Sequence, residues 1–187
     1  MRKLLFILLA WAILIGWTGP VAATPTIVSF EDFPSGTFSS HTEDGATFSA
    51  VEGGPLRAVF DMLASAATPM EEIRADIDGG ATFVSVDLGD GGGDADPLFL
   101  EVYDMADSLL GAASDLLPAG TSGFRTLSIS EPQIAYAVFG ARGASGGSSI
   151  FVRTFAFEPV VTIPAPGGLL LAALGVGLVS SLRRRIG

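Results

Sequence analysis

The residues best suited to chemistry are acidic. Asp87, Asp90, Asp94 and Asp96 sit in DLGDGGGDAD, hard oxygen ligands on a glycine-flexible backbone, which is the combination Ca²⁺ favours. The stretch lacks both the D-x-D-x-D-G register and the terminal glutamate of a helix-loop-helix calcium site, so a solvated turn between two strands is its default reading. With 20 Asp and Glu in the chain, carboxylate pairs able to hydrolyse a glycoside arise by chance, and nothing in the order of residues sets one pair in a cleft. Nucleophile routes are poorer. There is no Cys, no Gly-x-Ser-x-Gly and no His-Glu-x-x-His, and the one histidine, His41, lies in the polar stretch SSHT, where a solvated loop residue is expected rather than a general base. These absences predict no catalytic residue, no metal and no cofactor.

The aromatic residues Phe30, Phe33, Phe48, Phe99, Tyr103, Tyr136, Phe139, Phe151, Phe155 and Phe157 could stack against sugars if exposed, but core packing is the default for nearly all of them. Trp11 and Trp17 both lie near the N-terminus, outside any binding domain. Polar recognition of a glycan, through aspartate side chains and backbone groups, stays open.

Period-two alternation supplies the elements that must position these groups. Val84, Val86 and Leu88 oppose Phe83, Ser85 and Asp87; Leu98, Leu100 and Val102 oppose Phe99, Glu101 and Tyr103; Ile134, Tyr136 and Val138 oppose Ala135, Ala137 and Phe139. Further strands are expected at 26–30, 46–51, 125–129 and 149–157, the last placing Phe151, Arg153, Phe155 and Phe157 on one face. Turns are expected at Glu43-Asp44-Gly45, Gly79-Gly80, 89–97, Pro118-Ala119-Gly120 and 140–147. Leu56, Val59, Phe60 and Leu63, spaced i, i+3, i+4 and i+7, predict one short helix, a spacing that a loop carrying buried apolar residues would share. Seven or more short strands between Gly, Pro and Asp turns predict an all-β fold, an antiparallel β-sandwich.

The mean hydropathy of +0.53 is concentrated at the two ends of the 187-residue chain. Arg2 and Lys3 precede the uncharged run 4–17, followed by Gly19-Pro20 and small residues up to Ala23, the pattern of a secretory signal peptide over residues 1–23 cleaved after Ala23. At the other end, Ile163-Pro164-Ala165-Pro166-Gly167-Gly168 leads into the apolar run 169–182 and then Arg183, Arg184 and Arg185, which reads as a single transmembrane helix with its basic anchor in the cytoplasm and the domain outside. Fourteen helical residues span about 21 Å against a hydrocarbon core of roughly 30 Å, which suits a transient anchor. Between the ends, residues 24–160 keep all 20 acidic residues against only Arg57, Arg74, Arg125, Arg142 and Arg153. Such a surface repels nucleic acid and anionic lipid.

The signal peptide together with the Pro motif, short apolar helix and Arg cluster of residues 161–187 resembles the PEP-CTERM sorting signal of Gram-negative bacteria. The resemblance implies an exosortase that recognises Pro164, Ala165 and Pro166, removes the helix and Arg183–Arg185, and leaves the protein at the cell surface or in the extracellular matrix. Ala165 stands where the family's namesake glutamate would be. The stretches 29–49 and 83–104, with a last apolar strand before the tail, look like the lectin-like jelly-roll domains that such proteins carry. Expected partners are therefore the export machinery, an exosortase and the membrane through residues 169–182, with no nucleic acid. The leading expectation is a non-enzymatic exported protein; the alternatives are a carbohydrate-binding module of an exopolysaccharide matrix and a permanent single-pass membrane protein.

Overall fold

The computed structural model describes residues 23–31, 33, 36–66, 72–90, 94–142 and 150–161. Residues 1–22 of the expected signal peptide, the motif at Pro164, Ala165 and Pro166, the expected helix 169–182 and Arg183–Arg185 lie outside them. Ala23 stands three residues before the first strand. Among the described residues no helix is long and apolar enough to cross a membrane.

Among the described residues eleven strands follow in order: β1 (Thr26–Val28), β2 (Gly36–Phe38), β3 (Ser40–Glu43), β4 (Ala46–Ala50), β5 (Leu56–Val59), β6 (Met62–Ser65), β7 (Ile73–Asp90), β8 (Asp96–Tyr103), β9 (Leu109–Leu117), β10 (Gly123–Ala141) and β11 (Phe151–Pro159). The fold is all-β, and each pairing is antiparallel. Two long strands, β7 and β10, belong to both layers. Their first and second halves are bent apart, so one layer runs β3-β4-β7-β10-β8-β9 through residues 73–77 and 136–141, and the other runs β2-β5-β6-β11-β7-β10 through residues 81–90 and 123–130. The layers meet through aromatic rings: Phe155 of β11 packs edge-on against Phe48 of β4 at 5.3 Å and lies 5.6 Å from Phe139 of β10.

The bend has a local cause. Gly79 and Gly80 take left-handed φ of 75° and 77°, and a Cβ on Gly80 would meet the Ile134 carbonyl oxygen at 3.0 Å. The expected Gly79-Gly80 turn is thus a kink inside one strand. Opposite it, Gln133 also has positive φ (64°), and the register slips on both sides of Ile134. This slip corrects the alternation read from sequence: Ile134 points into the main core with Ala137 and Phe139, while Tyr136 and Val138 point the other way. A bulge between Val152 and Thr154 does the same in β11, where Val152, Phe155 and Phe157 are buried and Arg153 turns out to solvent instead of sharing their face.

Two further expectations are corrected. Residues 56–63 form no helix; they are the β5–β6 hairpin, with Val59 paired to Met62 across Phe60 and Asp61. Leu56 and Leu63 are fully buried, as a helix would also have required, but Phe60 is 86% exposed. His41 is not in a loop. It lies in β3 opposite Phe48, half-buried, with its ring 4.3 Å from that of Phe33 and Nε2 3.3 Å from Glu43 Oε2.

Candidate functional site

In the first layer the pleat sends Ile73, Ala75 and Ile77 of β7, Ala137 and Phe139 of β10, and Leu98, Leu100 and Val102 of β8 into the core. The same alternation places Arg74, Asp76, Tyr136, Val138, Phe99, Glu101 and Tyr103 on the outer face. Register sets the neighbours: Tyr136 lies opposite Asp76 on one side and Tyr103 on the other, and Val138 lies opposite Arg74 and Glu101.

These residues form a ladder. The Tyr103 and Tyr136 rings stack with centroids 4.9 Å apart and planes 7° from parallel, and the Arg74 guanidinium lies 3.6 Å over Tyr136. Because β10 runs between β7 and β8, Tyr136 is enclosed from both sides. Arg74 is held in turn by Asp76, with Nη2 to Oδ1 at 2.6 Å and Nε to Oδ1 at 3.0 Å. A second guanidinium, that of Arg142, covers Phe99 at 3.9 Å and donates to both oxygens of Glu101 (2.6 and 2.9 Å) and to Glu72 (2.9 Å). Phe99, Tyr136 and Val138 are consequently buried in a cluster separate from the main core, although they sit on an outer face.

The hydrogen bonds set the ionisation states. The hydroxyl of Tyr103 donates to Glu101 Oε2 at 2.7 Å, and that bond, with partial burial, pushes the phenol up to about 12. Glu101 is held below the usual carboxylate range, chiefly by Arg142. Burial raises Tyr136, helped by its bond to Asp107 Oδ1 at 3.0 Å. Both phenols are neutral at ordinary pH.

Where β7 and β10 bend away, the ladder opens into a groove of about 740 Å³. Tyr136 and Arg74 lie at one side, Asp76 and Asp78 at another, and the β8–β9 turn with Asp104 and Asp107 closes the rim beside Gln133. That turn is built by its own residues: Asp104 Oδ1 accepts from the backbone N–H of Ala106 (2.8 Å) and Ser108 (2.9 Å), and Asp107 takes a left-handed φ of 59° that aims its carboxylate at Tyr136. The groove is open, acidic and rich in hydrogen-bond acceptors.

Of the acidic stretch named in the sequence, Asp87 lies in β7 and Asp96 opens β8, while residues 91–93 between them lie outside the described residues. Asp87 accepts from Thr126 Oγ1 (2.5 Å) and from Arg153 Nη2 (2.9 Å), and Asp96 is fully buried. Among the described residues no three His, Asp or Glu side chains come together in a way that could hold a metal ion. Phe30, Phe33, Phe48, Phe139, Phe155 and Phe157 are core residues, as expected. Sequence reasoning did not single out Arg74, Asp76 or Asp107. The available clue was that the chain's two tyrosines, Tyr103 and Tyr136, both fall in predicted strands.

Fold and site together define an antiparallel all-β protein with an aromatic and acidic groove on one sheet face. Solved structures similar to this chain include a family 29 carbohydrate-binding module from Piromyces equi (10% identity, 78% of this chain and 99% of that one, TM-score 0.45). Others are a ligand-recognition mutant of a second family 29 module (12%, 76% and 99%, 0.45) and the K2 cleaved adhesin domain of Lys-gingipain (14%, 73% and 99%, 0.46). No family model and no curated protein matches the chain.

Proposed function

We propose that the chain is a non-catalytic exported surface protein whose β-domain binds an uncharged, hydroxyl-rich polysaccharide in the groove between Asp76, Asp107 and Tyr136. The observation that supports this reading is the groove itself. Carboxylates accept hydrogen bonds from sugar hydroxyls in bidentate fashion, and ring edges beside them offer the apolar surface that a sugar's C–H groups need. The acidic surroundings, with Arg74 already committed to Asp76, disfavour an anionic polymer. Stacking flat on Tyr136 requires Arg74 to swing aside, so edge contacts and hydrogen bonds carry the recognition. The similar solved structures are carbohydrate-binding and adhesin domains by name, and the proposal stands on the groove rather than on that likeness.

In the same proposal residues 1–23 are removed on export, residues 169–182 with Arg183–Arg185 anchor the chain, and an exosortase acts at Pro164-Ala165-Pro166. The pairing of Thr26 with Phe157 puts the first and last strands of the domain side by side. Mass spectrometry of surface material from cells producing the full chain should recover peptides up to about residue 164 and none from 169 onwards. An intact tail in the mature protein refutes processing.

Binding is tested by electrophoresis of the full chain, in a detergent without a sugar headgroup, through gels containing hydroxyethylcellulose, dextran or alginate. Retardation by a neutral polymer and not by alginate is expected. The Asp76→Ala, Asp78→Ala double variant should weaken it about tenfold or more, since each hydrogen bond to a charged group is worth roughly 1.5–3 kcal/mol. Free migration of the native chain in every gel refutes the assignment.

A further inference from the structure

We propose a second sugar subsite at the tip of the β5–β6 hairpin, with Phe60 as its stacking platform; this rests on the polysaccharide-binding reading above. The starting observation is a residue that the fold does not account for. Phe60 and Asp61 form a two-residue hairpin turn with φ of 52° and 59°, both left-handed, the type I′ pattern. That geometry calls for Asn, Asp or Gly. The β3–β4 hairpin of this chain meets the same demand with Asp44-Gly45, at φ of 49° and 82°. A phenylalanine in the left-handed region is an outlier for a bulky side chain, and this residue is 86% exposed, so burial does not offset the strain.

The surroundings give the ring a use. It borders a shallow groove of about 410 Å³ that also includes Ile27, Met62, Glu31, Asp61 and Arg153. The groove exists because β11 is paired by β6 at Val152 and by β1 at residues 155–157, while the bulge between them leaves Arg153 and Thr154 facing a gap. Arg153 is drawn towards the neighbouring strands, its guanidinium bound to Asp87 at 2.9 Å and 4.5 Å from the centre of the Phe124 ring. Its charge is thereby committed, and Glu31 and Asp61 dominate the rim.

A flat exposed aromatic ring beside two carboxylate acceptors is the chemistry of a pyranose: C–H groups against the ring, hydroxyls to the oxygens. The same features argue against other occupants. Two exposed apolar side chains, Ile27 and Phe60, are far short of the roughly 800 Å² per partner of a stable protein interface, and an acidic rim is repelled by an anionic lipid surface. The occupant is therefore one unit of an uncharged polysaccharide, reached in addition to the first groove.

The experiment uses the full chain in the same sugar-free detergent and the same hydroxyethylcellulose, dextran and alginate gels, with Phe60→Asn, Phe60→Tyr and the Asp76→Ala, Asp78→Ala variant in parallel. Phe60→Asn should bind about fivefold or more weakly to the polymer that retards the native chain, with no loss of melting temperature, while Phe60→Tyr keeps binding. Native-like retardation of Phe60→Asn overturns the subsite and leaves the first groove standing, as does loss of binding in Phe60→Tyr. If the native chain is retarded by no polymer, both the subsite and the reading beneath it fall.

Discussion

Replacing Phe60 by Asn should stabilise the protein, and the size of the effect follows from the turn. A non-glycine side chain in the left-handed region costs about 1–2 kcal/mol, a penalty that Asn largely escapes because its short polar group bonds locally. Against this stands the lost contact of the ring. A phenylalanine presents about 200 Å² of surface, and at 86% exposure only about 30 Å² of it touches the protein, worth roughly 0.7 kcal/mol. The balance is a gain of about 0.5–1 kcal/mol. For a domain of this size it raises the melting temperature by about 2–3 °C, measurable by far-ultraviolet circular dichroism on the full chain. A packed phenylalanine would instead cost about 3–5 kcal/mol on truncation and lower the transition by about 10 °C. A fall of that size would show that the ring is buried and would remove the ground for a binding role at the hairpin tip.

Two more outcomes are expected. Since both tyrosines of the chain belong to the ladder, the near-ultraviolet titration of tyrosinate reports on it alone. In the native protein Tyr103 should ionise at about 12 and Tyr136 above the ordinary phenol value, and the unfolded chain should titrate both at the ordinary value. The folded pKa of Tyr103 lies above the unfolded one, so its contribution to stability is complete below about pH 10 and is lost as pH rises through about 12; a native protein in which both phenols titrate at 10 would deny the Tyr103–Glu101 bond. Glu101, held low, works in the opposite sense: its contribution is present above the unfolded value and lost as pH falls through the folded one. Separately, Gly89→Ala should destabilise by about 1–3 kcal/mol or more, because a Cβ there would lie 2.0 Å from the Gly123 carbonyl oxygen and force β7 and β10 apart. Unchanged chemical denaturation would refute that register.

Much of the strand content was legible because a half-buried strand must alternate, and 84–88 and 98–102 do so without interruption. The reading failed where alternation is broken by geometry rather than by composition. At Ile134 and Arg153 a bulge adds a residue to one strand and exchanges the faces, which no count of apolar spacing detects. At 56–63 the turn was hidden because Phe60 occupies a position whose usual residues announce a turn, leaving a helical spacing by default. The site was less legible still. Its parts, Arg74, Asp76, Tyr103, Asp107 and Tyr136, come from β7, β8, β10 and a turn, and become neighbours only through sheet register.

The sequence by itself determined the all-β class, the acidic and arginine-poor middle, and the apolar ends, because these depend on composition and local period alone. Only the tertiary structure decided that Gly79-Gly80 is a bend and not a turn, that the two tyrosines stack under a guanidinium, and that Phe60 stands exposed. Each of those outcomes depends on how distant strands align, and a one-residue shift in that alignment would send every side chain of the ladder to the opposite face.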